Sequence, residues 1–297
     1  MTARTLAGGI RATAAISPAL AGRLATAAFF STSPRMPVRD ADRFTHDAAR
    51  RDAIEVRGKR VVTYQWGTGT RTALLLHGWV GRASQFATLV RDLVAEGWRV
   101  IAFDAPAHGD SDGRRTDVRD WVDAAQRLAA SEGPAELIVG HSFGAFAALS
   151  AVRSGLEAKR VVAIAGAGNP QAYHDEFSGT LRLAPAVRAA FEEAFHRRLG
   201  MTRAETSARF DSLADPLPRD VELLIVHDED DRALDARHSA ELHAAHAGRA
   251  HLLLTRGLGH NRILGADATL DAVLAFAAGG VAALSRPAVD TEVGTHR

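Results

Sequence analysis

The 297-residue chain predicts an α/β protein built on a mostly parallel, doubly wound sheet. From residue 72 onwards, short apolar runs typical of buried strands alternate with longer segments of helical pattern. Polar residues of catalytic types follow several of these runs directly. Because the carboxyl ends of parallel strands meet at one edge of the sheet, this order predicts a functional site at that edge.

The predicted elements cover most of the chain from residue 53 to residue 276. A leading hairpin, with its turn at Gly58-Lys59, precedes the alternating part. The predicted strands are Ala53–Arg57, Val61–Trp66, Thr72–Leu76, Arg99–Phe103, Leu137–Val139, Val161–Ala165, Leu223–Val226 and His251–Thr255. Helices are predicted near residues 86–94 and over Val118–Ala130, Phe143–Leu149 and Ala266–Phe276.

One long connection breaks the alternation. The segment between Ala165 and Glu222 has helical patterning and ends in a stretch that contains Pro216 and Pro218. An insertion of this size is typical of a small cap over the mouth of a site. We therefore predict four parts, namely a basic N-terminal segment at 1–39, an α/β core at 40–165 and 220–284, a helical cap at 166–219 and a polar tail at 285–297.

Residues 1–39 contain five arginines and no acidic residue. Apolar residues four positions apart predict a basic amphipathic helix, broken or kinked near Pro18. Such a segment fits an organelle transit peptide, a membrane-surface helix formed by residues 1–35, or a helix packed on the rest of the domain. No apolar run is long enough to cross a membrane, and we expect a cytoplasmic protein.

Composition excludes several classes of chemistry. A net charge of +1 gives no indication of a nucleic-acid partner. The chain has no cysteine, which excludes disulfides, a thiolate nucleophile and a cysteine-ligated metal.

The sequence Gly140-His-Ser142-Phe143-Gly144 stands between a predicted strand and a predicted helix. In this context G-x-S-x-G is a nucleophile elbow, a sharp turn that lifts the serine hydroxyl clear of the sheet. Side chains at Gly140 and Gly144 would collide where the strand and the helix approach each other. The Phe143 N–H opens the helix and can point at a developing oxyanion.

A serine hydroxyl needs a base to take its proton, and that base needs a carboxylate to orient it. The ends of the predicted strands carry suitable groups, in the order Ser…Asp…His of one known arrangement. These groups are His77, Asp104, Ser142, Asp228–Asp231 and His260.

Five segments together resemble the α/β-hydrolase superfamily over roughly residues 53–280. They are His77-Gly78-Trp79, Asp104–Ser111, Gly140–Gly144, His227–Asp231 and Gly259–Arg262. The resemblance implies an α/β-hydrolase fold with Ser142 as nucleophile, His260 as base and Asp231 as orienting acid. It also implies that the N–H groups of Trp79 and Phe143 form the oxyanion hole, supported by His77, Gly78, Gly140 and Gly144.

The sequence departs from the family pattern at two places. Asp228 stands where the family usually has a glycine, so the choice of Asp231 rests on spacing, and Asp228 and Asp230 remain alternatives. Ala107 replaces the usual glycine of the Asp-x-x-Gly-x-Gly pattern, a change that we expect not to affect catalysis.

Other polar residues near these motifs have structural interpretations. We expect His77 to brace the oxyanion loop, His141 to pack or to line the pocket, and Asp104 and His108 to hold their own loop through hydrogen bonds. Three histidines of a predicted helix have a spacing that fits a metal ion, but no acidic ligand pattern accompanies them. They are His238, His243 and His246.

The predicted function is a serine hydrolase that cleaves a small-molecule carboxylic ester or thioester, without cofactor or metal. Acyl transfer to an alcohol and peroxyacid formation would use the same triad. The alternative is a non-catalytic α/β-hydrolase fold that serves as a ligand-binding or membrane-surface scaffold, since a fold alone does not determine function. Neither the substrate nor the oligomeric state can be read from the sequence.

Overall fold

A computed structural model describes residues 3–284, so the predicted tail at 285–297 lies outside the described residues. Eight strands form one sheet in the order β1-β2-β4-β3-β5-β6-β7-β8, in which β3 to β8 are parallel and β1 and β2 are antiparallel to their neighbours. The strands are β1 (Arg50–Val56), β2 (Lys59–Trp66), β3 (Arg71–Leu76), β4 (Trp98–Phe103), β5 (Leu137–His141), β6 (Arg160–Ile164), β7 (Glu222–Asp228) and β8 (Ala250–Thr255). The predicted mostly parallel α/β fold is confirmed.

Helices cover both faces of the sheet. They are α1 (Ala3–Ile16), α2 (Pro18–Phe29), α3 (Asp40–Asp47), α4 (Ala87–Ala95), α5 (Val118–Glu132), α6 (Phe143–Arg153), α7 (Pro170–Leu181), α8 (Pro185–Leu199), α9 (Arg203–Phe210), α10 (Arg237–Ala245), α11 (Gly259–Arg262), α12 (Asp267–Gly279) and α13 (Val281–Leu284). Two short 3₁₀ helices span Ala83–Phe86 and Ile263–Gly265. Side chains of α5 and α6 belong to one apolar cluster, and those of α4 and α12 belong to another.

The central strands are apolar throughout because both of their faces are buried. In β3, Leu74 and Leu76 join the cluster that contains α5 and α6, whereas Ala73 and Leu75 join the cluster of α4 and α12. Successive side chains of a strand point to opposite faces, so a strand covered on both sides needs an unbroken apolar run. This requirement explains why short apolar runs identified the parallel strands in the sequence.

The leading hairpin differs from the prediction in its turn. Arg57 and Gly58, not Gly58 and Lys59, form the connection, and Lys59 pairs with Val56 in the ladder. Both turn residues have positive φ, at 50° for Arg57 and 74° for Gly58. Two positive φ values are what a two-residue hairpin turn requires to match the strand twist, and they place Arg57 in the turn.

The N-terminal segment forms two helices. Helix α2 packs on α8, and α1 packs on α2 and contacts α7. The break between α1 and α2 falls at Ser17, whose side chain accepts a hydrogen bond from the Leu20 N–H, while Pro18 occupies the first turn of α2. Helix α2 lies so close to α8 that a β-carbon at Gly22 would be 2.6 Å from the Ala190 β-carbon. Within residues 3–284, no helix is both long enough and apolar enough to span a membrane.

The long connection between β6 and β7 contains α7, α8 and α9. Each of the three helices starts with a recognisable signal. Pro170 and Pro185 stand in the first turns of α7 and α8, and Thr202 caps α9 in a capping box with Glu205. We call α7–α9 the insertion helices.

Candidate active site

Ser142 occupies a sharp turn between β5, which ends at His141, and α6, which begins at Phe143. Its backbone angles are φ 53° and ψ −120°. A residue with a side chain is strained in this region, and such strain is typical of functional sites. A hydrogen bond from the Ser142 N–H to the Ile164 carbonyl, at 2.8 Å, helps to hold the conformation.

The glycines around Ser142 leave no room for side chains. A β-carbon at Gly140 would lie 2.4 Å from the Ala145 Cα, and one at Gly144 would lie 2.0 Å from the Leu76 carbonyl oxygen. The contacted atoms belong to the backbone, so they cannot move aside without distorting the sheet or the helix. The tight turn that exposes Ser142 therefore requires glycine at both positions.

Ser142, His260 and Asp231 form a continuous line of hydrogen-bonding groups. The Ser142 Oγ lies 2.9 Å from the His260 Nε2, and the His260 Nδ1 lies 2.6 Å from the Asp231 Oδ2. The three side chains come from the ends of β5 and β7 and from α11, which follows β8. A proton on Nδ1, which the carboxylate accepts, leaves the lone pair of Nε2 facing the serine hydroxyl.

Of the three aspartates considered for the acid, Asp231 is the one that contacts His260. Asp228 accepts hydrogen bonds from the Thr255 hydroxyl at 2.8 Å and from the Leu258 N–H at 3.0 Å. Asp230 accepts from the Gly257 N–H at 3.0 Å. Both alternatives thus fix the loop that leads to His260 rather than its ring.

The Asp231 carboxylate is fully buried, and its surroundings keep it ionised. Burial alone would raise its pKa, but hydrogen bonds from His227 and His260 hold the pKa of Asp231 well below its usual range. The His227 Nε2 lies 3.2 Å from the Asp231 Oδ2 and 3.0 Å from the Leu234 carbonyl oxygen. On the other side of its ring, the His227 Nδ1 lies 2.6 Å from the Ser239 Oγ. His227 therefore helps to hold the Asp231 carboxylate in its orientation toward His260.

His141 contacts the backbone of His260. Its Nε2 lies 2.8 Å from the His260 carbonyl oxygen, and the two ring centroids are 5.0 Å apart. Burial and the neighbouring His260 ring lower the pKa of His141 to about 3, so the ring is neutral near pH 7. The His141 ring does not line the cavity above Ser142 and lies instead under the loop that carries His260.

The loop after β3 brings Trp79 next to the elbow. A β-carbon at Gly78 would lie 3.0 Å from the Ser142 β-carbon, which shows how closely the two turns approach. In the described part of the chain, neither the Trp79 N–H nor the Phe143 N–H donates to another residue. Two backbone donors beside the serine, without a protein acceptor, are what an oxyanion hole requires.

His77 and Asp104 hold this loop in place. The His77 Nδ1 donates to the Gly78 carbonyl at 2.7 Å, and its Nε2 accepts from the Ala105 N–H at 2.9 Å. Burial lowers the pKa of His77 to about 4, and the neutral ring can play both roles. The buried Asp104 carboxylate accepts from the Tyr64 hydroxyl at 2.9 Å and from the Ala83 N–H at 2.8 Å.

His108 supports the same loop from the segment after β4. Its Nε2 accepts the Val80 N–H at 3.0 Å, and its Nδ1 donates to the Pro106 carbonyl at 3.0 Å. Burial and the nearby His77 lower the pKa of His108 to about 3. Ala107, at the position where the family usually has glycine, has a φ of 67°, so it adopts the left-handed conformation despite its side chain.

A cavity of about 360 Å³ opens above Ser142 and His260. Its walls come from the N-terminal segment, the loop after β3, α6 and the insertion helices. Aromatic side chains that line it are Phe29, Phe30, Trp79, Phe143, Phe146, Tyr173, Phe177, Phe195 and Phe210. The Tyr173 hydroxyl of α7 donates to the Ser142 carbonyl at 3.1 Å, which joins the insertion helices to the elbow.

Of the three histidines that the sequence placed on one helix, His238 and His243 lie on α10 and His246 follows its last residue; His238 and His246 have other partners. His238 lies 3.3 Å from both Glu176 and Glu241, and the His246 Nε2 accepts the Leu217 N–H at 3.1 Å. Among residues 3–284, no group of three or more His, Asp or Glu side chains is arranged to hold a metal ion.

The geometry and the topology agree with the comparison to known families. The pattern that defines the alpha/beta hydrolase family matches residues 73–276, so the chain belongs to this family. No curated protein matches the chain in sequence.

Several solved structures share the fold at low sequence identity. The mouse alpha/beta hydrolase domain-containing protein 10 is 17% identical, with 80% of this chain and all (100%) of that chain covered and a TM-score of 0.61. An esterase from Rhodococcus sp. is 18% identical, with coverages of 78% and 99% and a TM-score of 0.56. A membrane phospholipase A, described as a bacterial virulence factor, is 20% identical, with coverages of 94% and 99% and a TM-score of 0.59.

Sequence reasoning assigned no role to three residues that shape the site. His227 was part of a motif, but only the fold shows that its ring meets Asp231. Phe29 and Phe30 lie in the N-terminal segment, far from every motif in sequence, and yet line the cavity. Two adjacent aromatic residues within the basic N-terminal segment were the one signal of a buried contact.

Proposed function

We propose that this protein is a serine hydrolase that cleaves a carboxylic ester or thioester through an acyl-enzyme on Ser142. The observation that carries the proposal is the hydrogen-bonded line from the Ser142 Oγ to the His260 Nε2, at 2.9 Å, and from the His260 Nδ1 to the Asp231 Oδ2, at 2.6 Å. Membership of the alpha/beta hydrolase family supports hydrolase chemistry in general. The choice of an acyl substrate rests on the serine, the base and the two unpaired backbone donors beside them.

In the first half of the reaction, the Ser142 Oγ attacks the carbonyl carbon while the His260 Nε2 takes its proton. The ionised Asp231 stabilises the imidazolium that forms. The N–H groups of Trp79 and Phe143 stabilise the tetrahedral oxyanion, each contributing about 3 kcal/mol. The imidazolium then returns its proton to the leaving alcohol or thiol, and the acyl group stays on Ser142.

In the second half, water enters where the leaving group departed. The His260 Nε2 takes a proton from this water, whose oxygen attacks the acyl carbon. The second tetrahedral intermediate uses the same oxyanion donors. Its collapse releases the carboxylic acid, and His260 returns the proton to the Ser142 Oγ. We propose that the insertion helices act as a cap that limits access of bulk water during these steps.

The test is hydrolysis of p-nitrophenyl esters by the full chain and by Ser142→Ala. We expect the substitution to lower kcat by about a millionfold, as loss of a triad serine does in other enzymes. Ser131→Ala is the matched control, since Ser131 is exposed on α5 outside the cavity, and we expect it to retain full activity. Equal activity of wild type and Ser142→Ala would contradict the proposal.

The non-catalytic scaffold is tested by labelling with a fluorophosphonate, which reacts with activated serines. A scaffold would leave Ser142 unlabelled and would hydrolyse none of the esters. We expect labelling of wild type, no labelling of Ser142→Ala and normal labelling of Ser131→Ala.

We also propose a cytoplasmic protein that contacts an anionic membrane surface through α1 and α2. Three apolar residues are exposed there, namely Ile16, Leu20 and Leu24 at 83%, 50% and 38%. Arg4, Arg11 and Arg23 are exposed on the same two helices. A basic, apolar surface of this kind suits anionic lipid headgroups.

Vesicle sedimentation tests the membrane contact. The double variant Leu20→Gln/Leu24→Gln is preferable to deletion of residues 1–35, because deletion would also remove part of the cavity wall. We expect wild type to bind vesicles that contain phosphatidylserine and the double variant to bind them less. Equal sedimentation of both proteins would overturn this proposal.

A further inference from the structure

One wall of the cavity is formed by the end of α2. Along the chain, this wall is the one farthest from Ser142, Asp231 and His260. Phe29 and Phe30 line the same cavity as Ser142 and His260, although more than a hundred residues separate them from Ser142 in the chain. Resting on the proposed function, we propose that this cavity takes the apolar acyl chain of the substrate, and that Phe29 and Phe30 determine the chain length that it accepts.

The first argument is the packing of the two phenylalanines. Phe29 contacts Phe177 and Phe191 edge-on, with ring centroids 5.2 Å and 5.3 Å apart. The Phe30 ring stacks on Phe195 at 5.6 Å and lies 6.3 Å from the Trp79 ring. Phe30 thus connects the insertion helices with the loop that carries Trp79, and a smaller side chain there would enlarge the cavity between Trp79 and Phe195.

The second argument is the firm attachment of the N-terminal segment. The Thr26 hydroxyl lies 3.4 Å from the Phe191 carbonyl, and the Trp79 indole N–H donates to the Ser31 carbonyl at 2.7 Å. Beyond it, the Arg35 guanidinium donates to the carbonyls of Gly109, Ser111 and Gly113 at 2.9, 2.7 and 2.8 Å. A segment bound on both sides of Phe29 and Phe30 is a fixed wall, so these side chains can select by size.

The third argument is the charge of the cavity lining. Within residues 3–284, no lysine or arginine lines the cavity. Its two acidic residues have cationic partners, since Asp117 lies 2.8 Å from Arg119, and Glu176 lies 3.8 Å from Arg237. A phosphate or a free carboxylate on the acyl side would find no counter-charge, whereas a hydrocarbon chain would bury apolar surface.

A histidine that packs among the phenylalanines of this wall, His174, is itself uncharged at neutral pH. His174 lies among Phe29, Phe191 and Phe195, with ring centroids 5.5, 5.2 and 4.2 Å away. Burial lowers the pKa of His174 to about 4, so its ring is neutral at the near-neutral pH at which His260 would act as a base. The wall therefore stays compatible with an apolar chain at neutral pH.

The experiment measures kcat/KM for p-nitrophenyl esters from acetate to dodecanoate, using the full chain. We expect wild type to gain about fourfold per methylene until the cavity is full, as burial of a methylene predicts, and then to decline. Phe29→Ala and Phe30→Ala should move the optimum to longer chains and raise the ratio of long-chain to short-chain kcat/KM at least about tenfold. Phe30→Trp should move the optimum to shorter chains.

Phe44→Ala is the matched control, because Phe44 is 84% exposed on α3 and does not line the cavity. Its chain-length profile should equal that of wild type. If Phe30→Ala proves unfolded by thermal melting, Phe30→Leu replaces it, since it keeps an apolar contact with Phe195. An unchanged profile in folded variants at both Phe29 and Phe30 would overturn the inference.

A binding measurement separates this inference from the proposed function. Ser142→Ala and Ser142→Ala/Phe30→Ala are titrated calorimetrically with alkyl esters of increasing acyl length. If wild type hydrolyses no ester, the proposed function fails, but a chain-length dependence of binding that Phe30→Ala shifts would still support the acyl cavity. Absence of binding, or binding that Phe30→Ala leaves unaltered, would contradict it.

Discussion

The His227 Nε2 lies 3.2 Å from the Asp231 Oδ2, so the buried carboxylate contacts a second imidazole in addition to that of His260. His227 belongs to β7, and Asp231 follows four residues later in the turn after that strand. Ser239 in α10 contacts the other nitrogen of the His227 ring. Residues of β7 and α10 therefore hold the Asp231 carboxylate from the protein interior, in addition to its contact with His260.

We expect His227→Gln to lower kcat by roughly tenfold to a hundredfold, because a hydrogen bond to a charged group contributes about 1.5–3 kcal/mol. KM should change little, since His227 does not line the cavity. Steady-state kinetics on one ester, with urea unfolding of the same preparations, would check this. His243→Gln, on α10 and outside the cavity, serves as control. A raised KM with normal kcat would argue against a positioning role.

Asp231→Asn should lower kcat by about ten-thousandfold, because an amide in this place favours the wrong tautomer of His260. Asp228→Asn is a close control, since Asp228 binds the Thr255 hydroxyl and the Leu258 N–H but not the His260 ring. We expect it to keep kcat within about tenfold of wild type. If Asp228→Asn lowered kcat more than Asp231→Asn, the orienting acid would be Asp228 instead.

Ser142→Gly should be more stable than Ser142→Ala by about 1 kcal/mol, although both should be inactive. With φ at 53°, a residue that carries a β-carbon is strained, and glycine relieves that strain. The comparison with alanine removes the effect of losing the hydroxyl. Urea unfolding of both variants gives the difference, and a less stable glycine variant would show that the elbow stores no strain.

The buried histidines predict a loss of stability in mild acid. The pKa values of His77 and His141 are lowered to about 4 and about 3, whereas an unfolded histidine titrates near 6.5. Between these values, the unfolded chain binds more protons than the folded one, so the free energy of unfolding rises with pH and falls as pH drops from about 6.5. Each such histidine should remove about 2 kcal/mol by pH 5.

Urea unfolding followed by tryptophan fluorescence, at a series of pH values below 7.5, measures this dependence. The midpoint should fall steadily below pH 6.5. A midpoint that stays constant down to pH 5 would mean that these rings are not held neutral in the folded protein.

The parallel strands and the elbow were predictable because each depends on local sequence. A strand buried on both faces must be apolar throughout, and the elbow needs Gly140 and Gly144 at fixed positions beside Ser142. The hairpin turn was predicted one residue too late. Arg57 has a positive φ, and an arginine gives no indication in the sequence of such a conformation. Local pattern cannot distinguish two adjacent positions that both fit a turn.

Contacts between distant segments were not predictable in the same way. The pairing of His141 with the His260 carbonyl requires β5 and α11 to be placed relative to each other. The contact of Thr26 with the Phe191 carbonyl likewise joins residues that share no motif. Such contacts depend on how the helices pack, and packing is decided by side-chain shape over the whole fold.

Phe29 and Phe30 lie before residue 73, where the match to the alpha/beta hydrolase family begins. The residues that we propose to carry the reaction thus lie in the part of the chain shared with the family, whereas a segment outside that part supplies a wall of the cavity. If Phe29 and Phe30 set the chain length of the substrate, a change in this segment would alter substrate preference while the hydrolase core stays intact. Substitutions in the segment that contains Phe29 and Phe30 would then change which acyl chain is preferred without disturbing Ser142.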